Sequence, residues 1–63
     1  MKVRDVIQKL KEDGWVQVRQ ESSHRTFKKE GVAANVVVNG LEGEDVSPGV
    51  LSKLRRETGL PLR

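Results

Sequence analysis

The sequence predicts a small α+β domain with the element order α-β-β-β-α. Three observations predict it: apolar residues at helical spacing near the N-terminus, three short β-prone segments separated by turn signals, and a Ser-Pro pair that opens a second helical segment. Two helices with short apolar stripes must pack on one face of a three-stranded antiparallel sheet, which leaves the other face open to solvent. The 63 residues contain no repeat or linker, so residues 1–63 are expected to form one domain.

The first helix is predicted from about Lys2 to Asp13. Its apolar residues recur at the spacing of one helix face, and charged residues fill the other faces. These apolar residues are Val3, Val6, Ile7 and Leu10. Gly14 follows where a left-handed residue ends many helices.

The first strand is predicted from Trp15 to Glu21, a segment rich in β-forming residues. Alternation puts the two valines on one side and two polar residues on the other, Val16 and Val18 against Gln17 and Arg19. Trp15 has the wrong parity for the valine side, which predicts an irregular start or a bulge. The turn is expected at Glu21 to Ser23.

The second strand is predicted from His24 to Lys29, with Phe27 as its core residue. Alternation then places His24, Thr26 and Lys28 on the opposite, solvent-facing side. Arg25 and Lys29 fall on the core side, where they are tolerated only near strand ends with their charges extended toward solvent.

The last strand and the second helix follow a turn through Glu30-Gly31. Val36-Val37-Val38 indicates a strand from about Ala34 to Val38, and Asn39-Gly40 is a strong turn signal. An exposed acidic loop is expected over 41–45. Ser47 can cap a helix that Pro48 begins and Gly59 ends.

The second helix is expected to bury one narrow stripe. Leu51 and Leu54 form this stripe, with Val46 and Leu51 in the positions of a hydrophobic staple. Arg55 and Arg56 are expected to face outward.

The composition limits the classes of function. The net charge is +3, and the cations cluster on the hairpin and the last helix, which is typical of a domain that binds phosphate groups but also fits a plain solvated surface. With no cysteine and one histidine, disulfides and the usual zinc sites are excluded, so catalysis is expected to be metal-free or to use carboxylates with magnesium. No apolar run reaches the length of a bilayer span, and a cytoplasmic location is the default expectation.

Several short motifs in this order resemble the HicA-type toxins of toxin–antitoxin systems. They span most of the chain from Val3 to Leu60 and comprise Gly14-Trp15, Val18-Arg19-Gln20, Ser23-His24-Arg25, Phe27, Val36 to Val38, Asn39-Gly40, Asp45, Ser47-Pro48-Gly49, Leu51, Leu54 and Gly59-Leu60. The resemblance implies a double-stranded-RNA-binding-domain-like (dsRBD-like) fold and an mRNA interferase, an enzyme that cleaves messenger RNA. It also implies that His24 is catalytic and that a HicB-type antitoxin neutralises the protein.

Two departures from the family pattern stand near the histidine. Ser22 replaces the glycine that usually precedes the Ser-His pair, so the turn there requires either a changed geometry or a strained serine. The segment 28–31 is shorter than the corresponding family segment, which changes the loop available for contacts.

His24 is therefore the predicted catalytic acid or base of a metal-independent endoribonuclease with no cofactor. RNA contacts are expected from Arg19, Ser23, Arg25 and Lys28. The sequence identifies no second group for proton transfer.

The same sequence also fits other functions. The domain could be a non-catalytic RNA-binding or protein-interaction module with the same basic face. It could instead contact DNA through the second helix, although that helix offers few side chains that read bases. The acidic loop, with Glu42, Glu44 and Asp45, could hold magnesium or contact a basic partner.

Overall fold

The computed structural model describes all of residues 1–63 and has the predicted α+β architecture. The elements are α1 (Val3–Glu12), β1 (Val16–Glu21), β2 (His24–Lys28), β3 (Val36–Val38) and α2 (Pro48–Thr58). The three strands form one antiparallel sheet in the order β1-β2-β3. The third strand is shorter than predicted, because residues 34 and 35 precede the ladder with β2.

The core lies between the two helices and one face of the sheet. Helix α1 buries its apolar stripe of Val3, Val6, Ile7 and Leu10, as the spacing predicts. The sheet supplies Phe27, Val36 and Val38, and α2 supplies Leu51 and Leu54, so that one cluster contains every buried side chain. Phe27 is fully buried, which fixes which face of β2 is turned inward.

Helix α1 ends in a Schellman motif at Gly14. The Gly14 N–H bonds to the Lys11 carbonyl, and the Trp15 N–H bonds to the Leu10 carbonyl at 2.9 Å. Gly14 has φ of 96°, as a left-handed helix-ending residue requires. The motif turns the chain so that Trp15 enters the core at 3% exposure.

The predicted alternation of side chains along β1 is wrong. Trp15 is buried and Gln17 is half-buried, whereas Val16 and Val18 are exposed. The register with β2 shifts between Gln17 and Arg19, so these two residues lie on opposite faces rather than on one. The strand does contain a bulge, but it lies at the third residue and not at the start, and Trp15 itself has the same inward parity as Gln17.

Helix α2 begins and ends as its sequence predicts, and the tail beyond it completes the core. The Ser47 hydroxyl accepts a hydrogen bond from the Val50 N–H, and Gly59 is left-handed with φ of 74°. Leu62 is 1% exposed. The Arg55 guanidinium, expected to face outward, is half-buried and donates to the Leu62 carbonyl at 2.7 Å.

The acidic loop packs along the N-terminus. The Val3 N–H bonds to the Glu44 carbonyl, and the Val46 N–H bonds to the Met1 carbonyl. The Lys2 ammonium pairs with the Asp45 carboxylate at 3.2 Å. The loop thereby satisfies an early backbone N–H of α1, whose N-cap residue Lys2 supplies no side-chain cap.

Candidate functional site

The helix-free face of the sheet carries the predicted site. Its side chains are set by the pairing of β1 with β2, in which Arg19 opposes Thr26 and Glu21 opposes His24. The next pairing adds Val37, opposite Thr26 on β3. Because Phe27 is buried on the helix side, alternation turns His24 outward, as predicted.

The tight turn between β1 and β2 fixes the position of His24. Glu21 and His24 form the last pair of the ladder, so the loop contains only Ser22 and Ser23. Ser22 has φ of 56°, the one positive φ among the non-glycine residues. A two-residue hairpin loop with positive φ at its first position favours glycine there. The residue that departs from the family pattern therefore keeps the turn by adopting a left-handed conformation.

His24 lies in an open depression of about 240 Å³ on this face. The depression is lined by Arg19, Glu21, His24, Thr26 and Val37. The imidazole is exposed and takes part in no side-chain hydrogen bond or ion pair of the protein. Both ring nitrogens are thus available to an outside group, and a polymer can reach them because nothing covers the sheet on this side.

Glu21 is a member of the site that the sequence analysis did not predict, since it was assigned only a structural place, at the end of the first strand and the start of the turn. Its carboxylate forms an ion pair with the guanidinium of Arg19, two residues earlier on the same face. Both side chains are mostly exposed, at 68% for Arg19 and 64% for Glu21. The length of the turn is the signal that could have found it, because a two-residue loop makes the flanking residues cross-strand partners.

The other predicted RNA-contact residues are distributed unequally around His24. Ser23 is adjacent in the turn, and its carbonyl accepts a hydrogen bond from the Gly40 N–H at 3.2 Å. Lys28 shares the open face but stands four residues along the strand, roughly 13 Å away at the usual rise per residue. Arg25 is on the helix side, where its guanidinium donates to the Gly40 carbonyl at 3.0 Å.

One exposed valine, Val37, lines the depression, and two more lie on β1. Val16 is 61% exposed, Val18 54% and Val37 47%, and all three belong to the sheet. Together with the cations Arg19 and Lys28, they make the open face a mixed apolar and basic surface. Such a mixture is typical of surfaces that a partner covers.

Two of the three carboxylates of the acidic loop are engaged in the fold. Asp45 pairs with Lys2, and the Glu44 carboxylate accepts a hydrogen bond from the Leu41 N–H at 2.8 Å. No three side chains of the types that bind metals come together anywhere in the chain. No helix has the length and apolar character that crossing a membrane requires.

The fold and this face together define a small α+β domain with an exposed histidine on a basic, open sheet. Comparison with known families matches residues 3–60 to the model described as HicA toxin of bacterial toxin–antitoxin. The match covers nearly the whole chain, and the protein therefore belongs to the HicA toxin family. No curated protein matches the chain. Membership makes the protein the toxin of a toxin–antitoxin pair, with an antitoxin as its partner.

Proposed function

We propose that the protein is a metal-independent endoribonuclease that cleaves messenger RNA, with His24 as a catalytic acid or base. The observation that carries the proposal is the position of the imidazole, which is exposed on the open face beside the cation Arg19. Residues 1–63 act as one toxin domain in this proposal. The dsRBD-like order of elements agrees with an RNA substrate.

The proposed chemistry uses the nucleophile that RNA itself carries. The 2′-hydroxyl lies next to its own phosphate, so cleavage requires removal of one proton, stabilisation of the crowded phosphorus and protonation of the departing 5′-oxygen. An imidazole can accept or donate a proton near neutral pH. No step of this scheme calls for a redox group or a metal-bound hydroxide.

Arg19 and Lys28 would bind different phosphates. Arg19 is the diagonal neighbour of His24 across the two strands, a relationship that places Cα atoms about 7–8 Å apart. Its planar guanidinium can hold the scissile phosphate through two parallel hydrogen bonds. Lys28 stands farther along the strand and suits a flanking phosphate. Ser23, beside His24 in the turn, would contact the backbone of the bound strand.

The antitoxin would be of the HicB type and would cover the same face. The exposed Val16, Val18 and Val37 give a partner apolar area to bury, while the cations attract acidic side chains. A partner seated there would occlude His24. Hydrogen exchange of the β1 and β2 amides in the complex, compared with the free toxin, tests this placement.

Incubation of the purified protein with an end-labelled transcript in excess chelator tests the nuclease directly. We expect fragments that end in 2′,3′-cyclic phosphate or its hydrolysis product, because the 2′-oxygen is the nucleophile. A DNA strand of the same sequence should stay intact, and a single 2′-deoxy substitution should block cleavage at that position. Binding without cleavage would instead indicate a non-catalytic RNA-binding module.

A further inference from the structure

We propose that Glu21 is the second proton carrier of the site, accepting the proton of the 2′-hydroxyl while His24 protonates the departing 5′-oxygen. This inference rests on the proposed ribonuclease function and names the group that the sequence left unidentified. The observation behind it is the pairing of Glu21 with His24 across the hairpin, on the face where Arg19 stands.

The hairpin fixes the separation of the two residues at their Cβ atoms. Directly opposed residues on antiparallel strands have Cβ atoms about 4.5–5.5 Å apart. The carboxylate and the imidazole reach the same depression from neighbouring strands. A phosphate held between them would meet one group on each side, which is the arrangement that in-line displacement at phosphorus requires.

Arg19 gives the site a way to release the carboxylate when RNA is present. In the free protein the Arg19 guanidinium is paired with Glu21, and both side chains are exposed. Exposed ion pairs of this kind contribute little to stability, so the pair is readily exchanged. A phosphate that takes the guanidinium in a bidentate contact would leave the Glu21 oxygens free beside the 2′-hydroxyl.

The reaction then balances within the site. The 2′-O–H proton passes to the Glu21 carboxylate as the bond from 2′-oxygen to phosphorus forms. The bond from phosphorus to 5′-oxygen breaks, and its electron pair takes the proton of the His24 imidazolium. The products are a 2′,3′-cyclic phosphate, a 5′-hydroxyl, a protonated Glu21 and a neutral His24. Exchange of protons with water restores the starting forms.

The charged groups that face Glu21 are few. Arg19 contributes one positive charge from its own strand, His24 faces it from β2, and β3 brings only the uncharged Val37 to the depression. The proposed mechanism uses Glu21 without its proton and His24 with one, so cleavage is expected to rise with pH on an acid limb and to fall on an alkaline limb.

Single-turnover cleavage of the labelled transcript in chelator, with the protein in excess, tests the assignment in a Glu21→Gln variant. We expect the cleavage rate to fall about 100-fold or more, the usual contribution of a general base, and the acid limb of the pH profile to disappear. Affinity for a transcript made uncleavable by 2′-deoxy substitution should stay equal or increase, because a negative charge has been removed from a phosphate-binding face. Glu21→Asp, which keeps the carboxylate, should cleave faster than Glu21→Gln.

Glu57→Gln is the matched control, since it makes the same change on α2, across the molecule from the open face. It should leave the rate and the pH profile unchanged. If Glu21→Gln cleaves within about threefold of the wild type, or keeps the acid limb, Glu21 is not the proton carrier and the ribonuclease function stands. A wild-type protein that does not cleave RNA overturns both proposals. Emission of the buried Trp15 verifies that each variant is folded.

Discussion

His24 and Arg25 are consecutive residues whose side chains lie on opposite faces of the sheet. The imidazole is exposed on the open face, whereas the Arg25 guanidinium crosses the helix side to the Gly40 carbonyl. The Gly40 N–H in turn bonds to the Ser23 carbonyl. Arg25 therefore helps to tie the turn before His24 to the end of β3, and its proximity in sequence to the histidine does not place it on the same surface.

Replacement of Arg25 should affect stability, whereas replacement of Lys28 should affect RNA binding. Arg25→Gln leaves the Gly40 carbonyl without its charged donor and should lower the free energy of unfolding by about 1–2 kcal/mol, measured by urea denaturation. Its RNA affinity should stay within about twofold of the wild type. Lys28→Gln should leave stability unchanged and reduce the slope of log affinity against log salt by about 0.7, the value for one phosphate contact on a single strand. If Arg25→Gln instead weakened RNA binding and Lys28→Gln did not, the RNA would bind on the helix side of the sheet.

Ser22→Gly should stabilise the protein. The serine holds a φ of 56°, which costs a side chain with a Cβ about 1–2 kcal/mol and costs glycine nothing. After allowing for the greater chain entropy of unfolded glycine, we expect a gain of about 1 kcal/mol in thermal or urea unfolding. Ser23→Gly is the control, because Ser23 has a negative φ and the same change there should destabilise. A stability loss in both variants would contradict a strained Ser22.

The ion pair of Asp13 with Lys29 should make stability depend on pH in acid. The hydrogen bond that Lys29 donates at 2.9 Å lowers the pKa of the Asp13 carboxyl, and the Lys29 charge and the Trp15 indole N–H act in the same direction against desolvation. Because the pKa is lower in the folded state, the stabilisation is present above the unfolded-state pKa and is lost as pH falls through the folded-state value.

Asp13→Asn tests this dependence by urea unfolding followed through Trp15 emission. The variant should be less stable than the wild type near neutral pH, and the difference should shrink as the solution becomes acidic. Lys29→Gln should lose the same pH-dependent part of the free energy of unfolding. In the double variant the two losses should not add, because both remove the same ion pair. A constant difference between Asp13→Asn and the wild type at all pH values would contradict the pair as its source.

Leu62 should contribute as much to the free energy of unfolding as a buried leucine of the helices. It is 1% exposed in a tail that follows Pro61, and its carbonyl accepts the Arg55 hydrogen bond. Leu62→Ala should cost about 2–5 kcal/mol, the range for truncation of a buried leucine. The exposed Leu41, at 66%, gives the control, since Leu41→Ala should change unfolding by less than about 0.5 kcal/mol. Equal effects of the two changes would show that the tail does not pack.

The sequence predicts the elements whose patterns are local. The spacing of Val3, Val6 and Leu10 indicates α1. The one phenylalanine, Phe27, sets the parity of β2 and hence the outward direction of His24. Helix α2 follows from Ser47-Pro48 and Gly59. Each of these depends on residues within a few positions, where sterics and backbone hydrogen bonds decide the conformation.

What the sequence leaves undecided depends on register and on contacts between distant segments. The shift between Gln17 and Arg19 exchanges the faces of β1, because a displacement of one residue turns every later side chain over. The place of Glu21 opposite His24 follows only when the turn is known to contain two residues. Burial of Leu62 requires the path of the tail across the core, which no local pattern specifies.

The measurement that tests the central claim most directly compares His24→Ala with the wild type in two assays, transcript cleavage in chelator and binding to the uncleavable transcript. Cleavage should fall to background while affinity stays within about threefold, because in the proposed mechanism the imidazole carries a proton, and this exposed side chain makes no contact that holds the fold. Cleavage by His24→Ala at the wild-type rate would contradict the account and place the chemistry elsewhere.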